Sequence, residues 1–247
     1  MNRLVRAELA KLRTTRLLSI VVVVIAGVTI GLIAMQLHNA GKVGAPSLGT
    51  VDSLRSLLRV VGVASPIVLV VGVIAVTSEF RHTTLATSLL AVPDRRRLLA
   101  AKAAVLALLG AAVAVGGIAV SLAIVLAYLS AAGVPVDLAN GDLLLAVGGV
   151  LVGVPLYAVA GVGIGALIKH QTAAVVAPLL WLGVVEQLLP SFGLATVLRW
   201  LPGGATSALG RAELPGLLPM WAGGLLLAAY AAVFLVAGLY RLARTDV

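Results

Sequence analysis

SEFRHTTLATSLLAVPDRRRLLAAK (residues 78–102) interrupts an otherwise apolar chain with its densest group of charges. On each side stands an apolar run, residues 60–77 before it and 103–128 after it. A run of about 18 or more apolar residues is long enough to cross the hydrocarbon of a bilayer as a helix. Only a helix or a closed barrel satisfies its own backbone there. The charged stretch is therefore read as a water-facing connection between two membrane spans.

Working outward, four more runs of this kind occur, at residues 17–37, 143–168, 172–189 and 217–240, which makes an all-α plan of six transmembrane helices. Lys169-His170-Gln171 is a tight turn between the fourth and fifth. With the N-terminus inside, the inner segments hold Arg3, Arg6, Lys11, Arg13, Arg16, Arg81, Arg95, Arg96, Arg97, Lys102, Lys169, Arg241 and Arg244. The outer ones hold only Lys42, Arg55, Arg59, Arg199 and Arg211. Basic residues stay on the cytoplasmic side, so both termini are expected in the cytoplasm of a multi-pass plasma-membrane protein. The first run is longer than a signal-peptide core and no small-x-small site follows at 36–41, so it is expected to stay uncleaved.

Composition agrees. The 247 residues are 61% hydrophobic and 11% charged, with a mean hydropathy of +1.15. A soluble globule of this size needs a larger polar skin. The net charge of +9 follows from the inside bias, and 4% aromatics is too little for base stacking, so no nucleic acid is expected as a partner. Cysteine is absent, which removes disulfides, thiolate metal sites and thiol catalysis.

The remaining segments divide the chain into residues 1–16, a cytoplasmic amphipathic helix, and 17–247, one six-helix membrane domain. In the first, Leu4, Val5, Leu9 and Leu12 share a face opposite Arg3, Arg6 and Arg13, a pattern suited to an anionic leaflet, and Glu8 spoils the apolar side. A plain basic flank that sets topology is the alternative. Outside, Asp52-Ser53 caps a short helix bearing Leu54, Leu57, Leu58 and Val61. Residues 190–216 hold apolar pieces too short to span, broken at Pro202-Gly203-Gly204, and are expected to dip into the outer leaflet or lie upon it.

Within residues 78–102, Leu85, Leu89 and Val92 form one helical stripe, Pro93 ends it, and Asp94 is an N-cap for the next helix. Arg95, Arg96 and Arg97 then stand at a helix N-terminus, where cations oppose the macrodipole. Helix propensity does not account for them. Membrane topology, lipid headgroups or an acidic partner surface each does.

This stretch resembles the loop of ABC-2 type transporter permeases, the membrane subunits of a class of ATP-driven exporters. Glu79, Thr84, Leu85, Leu89, Leu90, Pro93, Arg97 and Lys102 match that pattern in order, with Thr83 where many members have Gly. The basic N-terminal helix, the six spans and Arg199-Trp200-Leu201-Pro202-Gly203-Gly204-Ala205 extend the likeness. The resemblance implies a coupling element that rests on an ATP-binding subunit, carried by Glu79, Phe80, Thr84, Leu85, Leu89 and Val92. Arg95, Arg96, Arg97 and Lys102 then form an inner surface facing that partner. It also implies a second permease copy or paralogue, a lipid setting, and ATP with Mg on the partner subunit rather than any cofactor here.

No GxxxxGK[ST] phosphate loop occurs, so an ATPase must come from another chain and this one is expected to be no enzyme. His38, His82 and His170 fall in different loops, which argues against a metal site. Glu186 is the one ionisable residue placed within a span; four residues before Pro190, it is read as interfacial or locally hydrogen-bonded. It joins Tyr157 and Trp181 as candidates for a substrate path. Gly27-xxx-Gly31, Gly149-xxx-Gly153 and Gly161-xxx-Gly165 offer close helix contacts, and Pro66, Pro155 and Pro178 are expected to kink their spans. Aliphatic, charge-poor spans suit a lipid, antibiotic or peptide-like substrate. The alternatives are a non-transporting immunity or anchoring subunit, and an ion-coupled secondary transporter, which the lack of paired intramembrane carboxylates disfavours.

Overall fold

The computed structural model describes residues 2–14, 16–39, 51–81, 94–133, 140–212 and 216–244. Helices follow one another as α1 (Asn2–Thr14), α2 (Arg16–Asn39), α3 (Val51–Arg59), α4 (Ala64–Arg81), α5 (Arg95–Ala131) and α6 (Gly141–Ile168). After these come α7 (Gln171–Leu180), α8 (Glu186–Leu188), α9 (Ala195–Leu198), α10 (Pro202–Leu209) and α11 (Met220–Ala243). No strand occurs among the described residues. Six helical stretches are long and apolar enough to cross a membrane: Ser19–Asn39, Leu54–Arg81, Arg95–Ala131, Gly141–Ile168, Gln171–Phe192 and Met220–Ala243. The expected six-span, all-α plan is the observed one.

Large apolar side chains on the outside support a lipid setting. Val23, Met35, Leu144, Trp221, Leu225 and Val233 are all exposed, and their surroundings must be apolar for that to cost nothing. Span α6 sits at the centre, against α4, α5 and α11. Glycine makes this possible. A Cβ at Gly161 would run into the Leu69 carbonyl of α4, and one at Gly163 would run into the Phe234 backbone of α11. The Gly161-xxx-Gly165 pair is thus an internal seam, since Gly165 also abuts Val73. Gly27 and Gly31 of α2 have nothing within 4 Å of an added Cβ.

Boundaries shift in two places, each for a local reason. The short helix with Leu54, Leu57, Leu58 and Val61 runs through a 3₁₀ turn, Val60–Val63, straight into α4, and all four side chains are buried. Pro66 consequently falls just after that 3₁₀ turn, three residues into α4. Pro155 and Pro178 do lie inside α6 and α7. Helix α5 starts eight residues before the apolar run because Asp94 caps it, accepting from the N–H groups of Arg96 (3.0 Å) and Arg97 (3.3 Å). Helix α3 already begins at Val51, so Asp52 and Ser53 fall inside its first turn rather than at its cap, and the Leu85, Leu89 and Val92 stripe lies outside the described residues.

Candidate functional site

Four charges meet where α1, α4 and α5 converge at the basic end of the bundle. Glu8 and Lys11, three residues apart, lie on the same side of α1. Glu79 comes from the last turn of α4 and Lys102 from the second turn of α5. The Lys102 ammonium donates to Glu8 Oε2 at 2.8 Å and to Glu79 Oε1 at 2.7 Å. Lys11 donates to Glu8 Oε1 at 3.1 Å and to Glu79 Oε1 at 3.2 Å. Two cations thus balance two carboxylates. The Lys102 side chain is only 4% exposed, and those of Glu8 and Glu79 are 9% and 10% exposed.

Burial governs the electrostatics here. Desolvation alone would raise the Glu8 carboxyl, but the Lys102 charge and hydrogen bond, helped by Lys11, outweigh it and hold the group below its usual range. For Lys11, burial would lower the ammonium, and Glu79 with Glu8 overcomes this and raises it. The apolar side of α1 closes over the cluster. Val5 and Leu9 pack on the main core, and Leu4 joins Leu98, Leu242 and Phe80. The Glu8 that mars the apolar face of α1 is therefore its fastening point. A carboxylate among leucines at helical spacing was the signal for a buried partner.

This changes the reading of several residues. Lys102, expected on the inner surface, faces inward and is buried, because two carboxylates hold it there. Glu79 is likewise buried rather than presented outward, while Phe80 is half-buried with the Lys169 ammonium 5.8 Å from its ring centre. Arg95 turns back and donates to the Leu242 carbonyl at 2.5 Å, in the last turn of α11. Arg96 is exposed, and Arg97 pairs with Asp94 at 3.0 Å in the open. Thr84, Leu85, Leu89 and Val92 lie outside the described residues.

Away from the cluster, two cavities share a wall. One, of about 420 Å³, lies between the 3₁₀ turn of the second span, α6, α7 and α10, and reaches from Ser65 and Tyr157 to Arg59 and Gln187. The other, of about 340 Å³, is lined mainly by apolar side chains including Leu69, Ile164, Trp181, Leu227 and Phe234. Tyr157 and Leu182 line both. Thr206 donates to the Pro202 carbonyl at 2.8 Å, so the 2.9 Å contact from Tyr157 is a hydroxyl donating to Thr206 Oγ1. Sequence reasoning picked Tyr157 and Trp181 but missed Thr206, Arg59 and Gln187, which carry no motif.

Glu186 is 1% exposed, so it is buried within the protein and not at its surface. Its Oε2 accepts from the Gly203 N–H at 2.7 Å, at the start of α10. A π turn, Trp181–Val185, precedes it. The extra residue of such a turn rotates the downstream side chains by about 100°, which brings Glu186 round to α10. The local hydrogen bond read from the sequence is present. A charge cluster also occurs near this end, where Asp142 accepts from Arg55 at 2.8 Å and pairs with Arg211 at 3.0 Å.

A family model described as ABC-2 family transporter protein matches residues 4–198, from the start of α1 to the end of α9. No curated protein matches the chain.

Proposed function

Because the chain belongs to the ABC-2 transporter family, we propose that it is the membrane-spanning permease subunit of an exporter. On this reading it moves an amphipathic or hydrophobic substrate, such as a lipid, antibiotic or peptide-like molecule, outward. The work comes from ATP, with Mg, hydrolysed on a separate ATP-binding subunit. A second permease copy or paralogue completes the pathway in the plasma membrane, and both termini lie in the cytoplasm.

One observation carries the mechanical part of the proposal. Residues 82–93 connect Glu79 to Lys102 across one span boundary, and those two side chains are bonded to each other and to Glu8 and Lys11. Short charge-assisted bonds in a dry setting are stiff and strong. A push on 82–93 from a docked ATPase is then delivered to α4, α5 and α1 together. Without the cluster, the two span ends would yield separately and the push would be lost locally. Exposed Arg6, Arg81, Arg96 and Arg97 supply a basic rim for an acidic partner surface.

The test is to purify the full chain under mild conditions from its own host, and to measure co-purifying proteins and ATP turnover. A stoichiometric soluble ATPase is expected with the unmodified chain, and its loss with Leu85→Pro, a change in the proposed docking stretch. A chain that purifies alone, with no ATP turnover, overturns the proposal in favour of an immunity or anchoring subunit.

A further inference from the structure

Four of the chain's ten aromatic side chains, Tyr157, Trp181, Tyr230 and Phe234, line the smaller cavity. In a protein with 4% aromatics that is a concentration composition alone does not supply. The other residues of its described lining are aliphatic or proline, and none is charged. Both hydroxyls of the wall already give their protons away. Tyr157 donates to Thr206 Oγ1 at 2.9 Å, and Tyr230 donates to the Trp200 carbonyl at 2.9 Å. The volume of about 340 Å³ falls in the range of roughly 300–1,000 Å³ usual for small-molecule sites.

One charge stands behind this wall. Pro202 lines the cavity, and the N–H of Gly203, the next residue, is held by Glu186 Oε2. The carboxylate is within electrostatic reach of the Tyr157 and Tyr230 hydroxyls, and the Trp181 indole N–H approaches it. Its Oε1 is buried and accepts no hydrogen bond among the described residues. The hydroxyls of α10 do not serve it, since Thr206 donates to the Pro202 carbonyl and Ser207 to the Gly203 carbonyl. No cation among the described residues acts on it either. Arg199 lies over the Trp200 ring, 5.5 Å from its centre, and Arg211 pairs with Asp142. Beyond the other end of the cavity, past Ile168, Lys169 is turned to the Phe80 ring. A carboxylate in a dry span is costly until a counter-charge or a donor meets it.

We propose that the smaller cavity binds a hydrophobic amine in its protonated form, a single ammonium on a compact apolar body. The ammonium sits among Tyr157, Trp181 and Tyr230, with the Glu186 carboxylate behind it. Aromatic rings attract a cation through their quadrupoles, most strongly where water is excluded. The carboxylate supplies the counter-charge, and an ammonium N–H is the donor that Oε1 lacks. The apolar body fills the space between Leu69, Ile164, Leu227 and Phe234, where burial favours it. An anionic head would meet Glu186 as a like charge. This deepens the permease reading by naming a substrate class: that the amine is cargo rests on that reading, whereas its binding rests on the cavity.

Binding is measured without any ATPase. The purified full chain is held in maltoside micelles at neutral pH and melted in the presence of adamantylamine or adamantanol, which share one body and differ in charge. A saturable rise in melting temperature is expected with adamantylamine, half-saturating at about tenfold lower concentration than with adamantanol, a difference of about 1.4 kcal/mol. Glu186→Gln keeps the shape and an acceptor for the Gly203 N–H, and should bring the two half-saturations together. Ala177→Trp, at an exposed position in the lining, should raise the amine's half-saturation about tenfold by filling the cavity. Each variant's melting point without ligand shows that it has folded. Equal half-saturation for the two probes in the unmodified chain, an amine preference undiminished in Glu186→Gln, or amine binding untouched by Ala177→Trp overturns the proposal. Loss of binding here leaves ATPase docking untouched, and an absent ATPase leaves binding untouched, so the two readings fail separately.

Discussion

Lys102 shows how strongly one side chain depends on its surroundings. In the sequence it is the last of a row of cations, and Arg97 looks like its equal. In the protein Lys102 is surrounded by two carboxylates at 2.7 and 2.8 Å, whereas Arg97 lies in the open beside Asp94. Removing one member of a buried pair strands the other's charge, at a cost of about 3–5 kcal/mol. An exposed pair contributes little, because water and salt already screen it. Lys102→Met is therefore expected to lower stability by about 3–5 kcal/mol, read as a lower melting temperature in micelles. Arg97→Ala should stay within about 0.5 kcal/mol of the parent. Equal effects from the two substitutions would show that the cluster is not the fastening described.

At the scale of elements, α1 is held by a small apolar contact and by charge. Its grip should therefore follow pH with a sign set by Glu8 and Lys11. Glu8 is depressed below its usual 4.5, so the stabilisation is present above that value and fades as pH falls through the lower, folded value. Lys11 is raised above 10.5, so its share is complete below that value and fades only as pH rises beyond it. Between these limits docking should be steady. The chain has no cysteine, so Ala7→Cys, on the exposed side of α1, accepts a single spin label. The label is expected to gain mobility as pH drops below 4.5, and Lys102→Met should show that mobility already at neutral pH. A spectrum unchanged well into the acid range would mean that Leu4, Val5 and Leu9 suffice to hold the helix.

For the whole molecule, the two ends of the bundle are chemically unlike. One collects the Glu8–Lys102 cluster and an exposed basic rim; the other collects the larger cavity, α10 and the Asp142 pairs. The proposed orientation puts the first in the cytoplasm. A membrane-impermeant maleimide added to intact cells should then label Lys42→Cys and spare Arg96→Cys until the membrane is opened. The reverse pattern would invert the topology and, with it, the side from which an ATPase can push.

The span plan was legible because apolar length is a linear property: a helix that crosses a bilayer must be written as one continuous run. The ABC-2 likeness was legible for a similar reason, since Glu79, Pro93 and Lys102 stand at set positions in a single short stretch. Helix starts marked by a side chain, as at Asp94, could also be read locally. What no linear pattern held was which charges would meet. Glu8 and Lys102 are ninety-four positions apart, and only the packing of α1 across the ends of α4 and α5 makes them partners. Likewise Glu186 reaches Gly203 because a π turn rotates it inward, and Arg59 reaches a cavity because α3 runs unbroken into α4. Sequence settles what lipid must cover. Tertiary structure decides which polar groups are dry together, because their cost, partners and chemistry depend on distance in space.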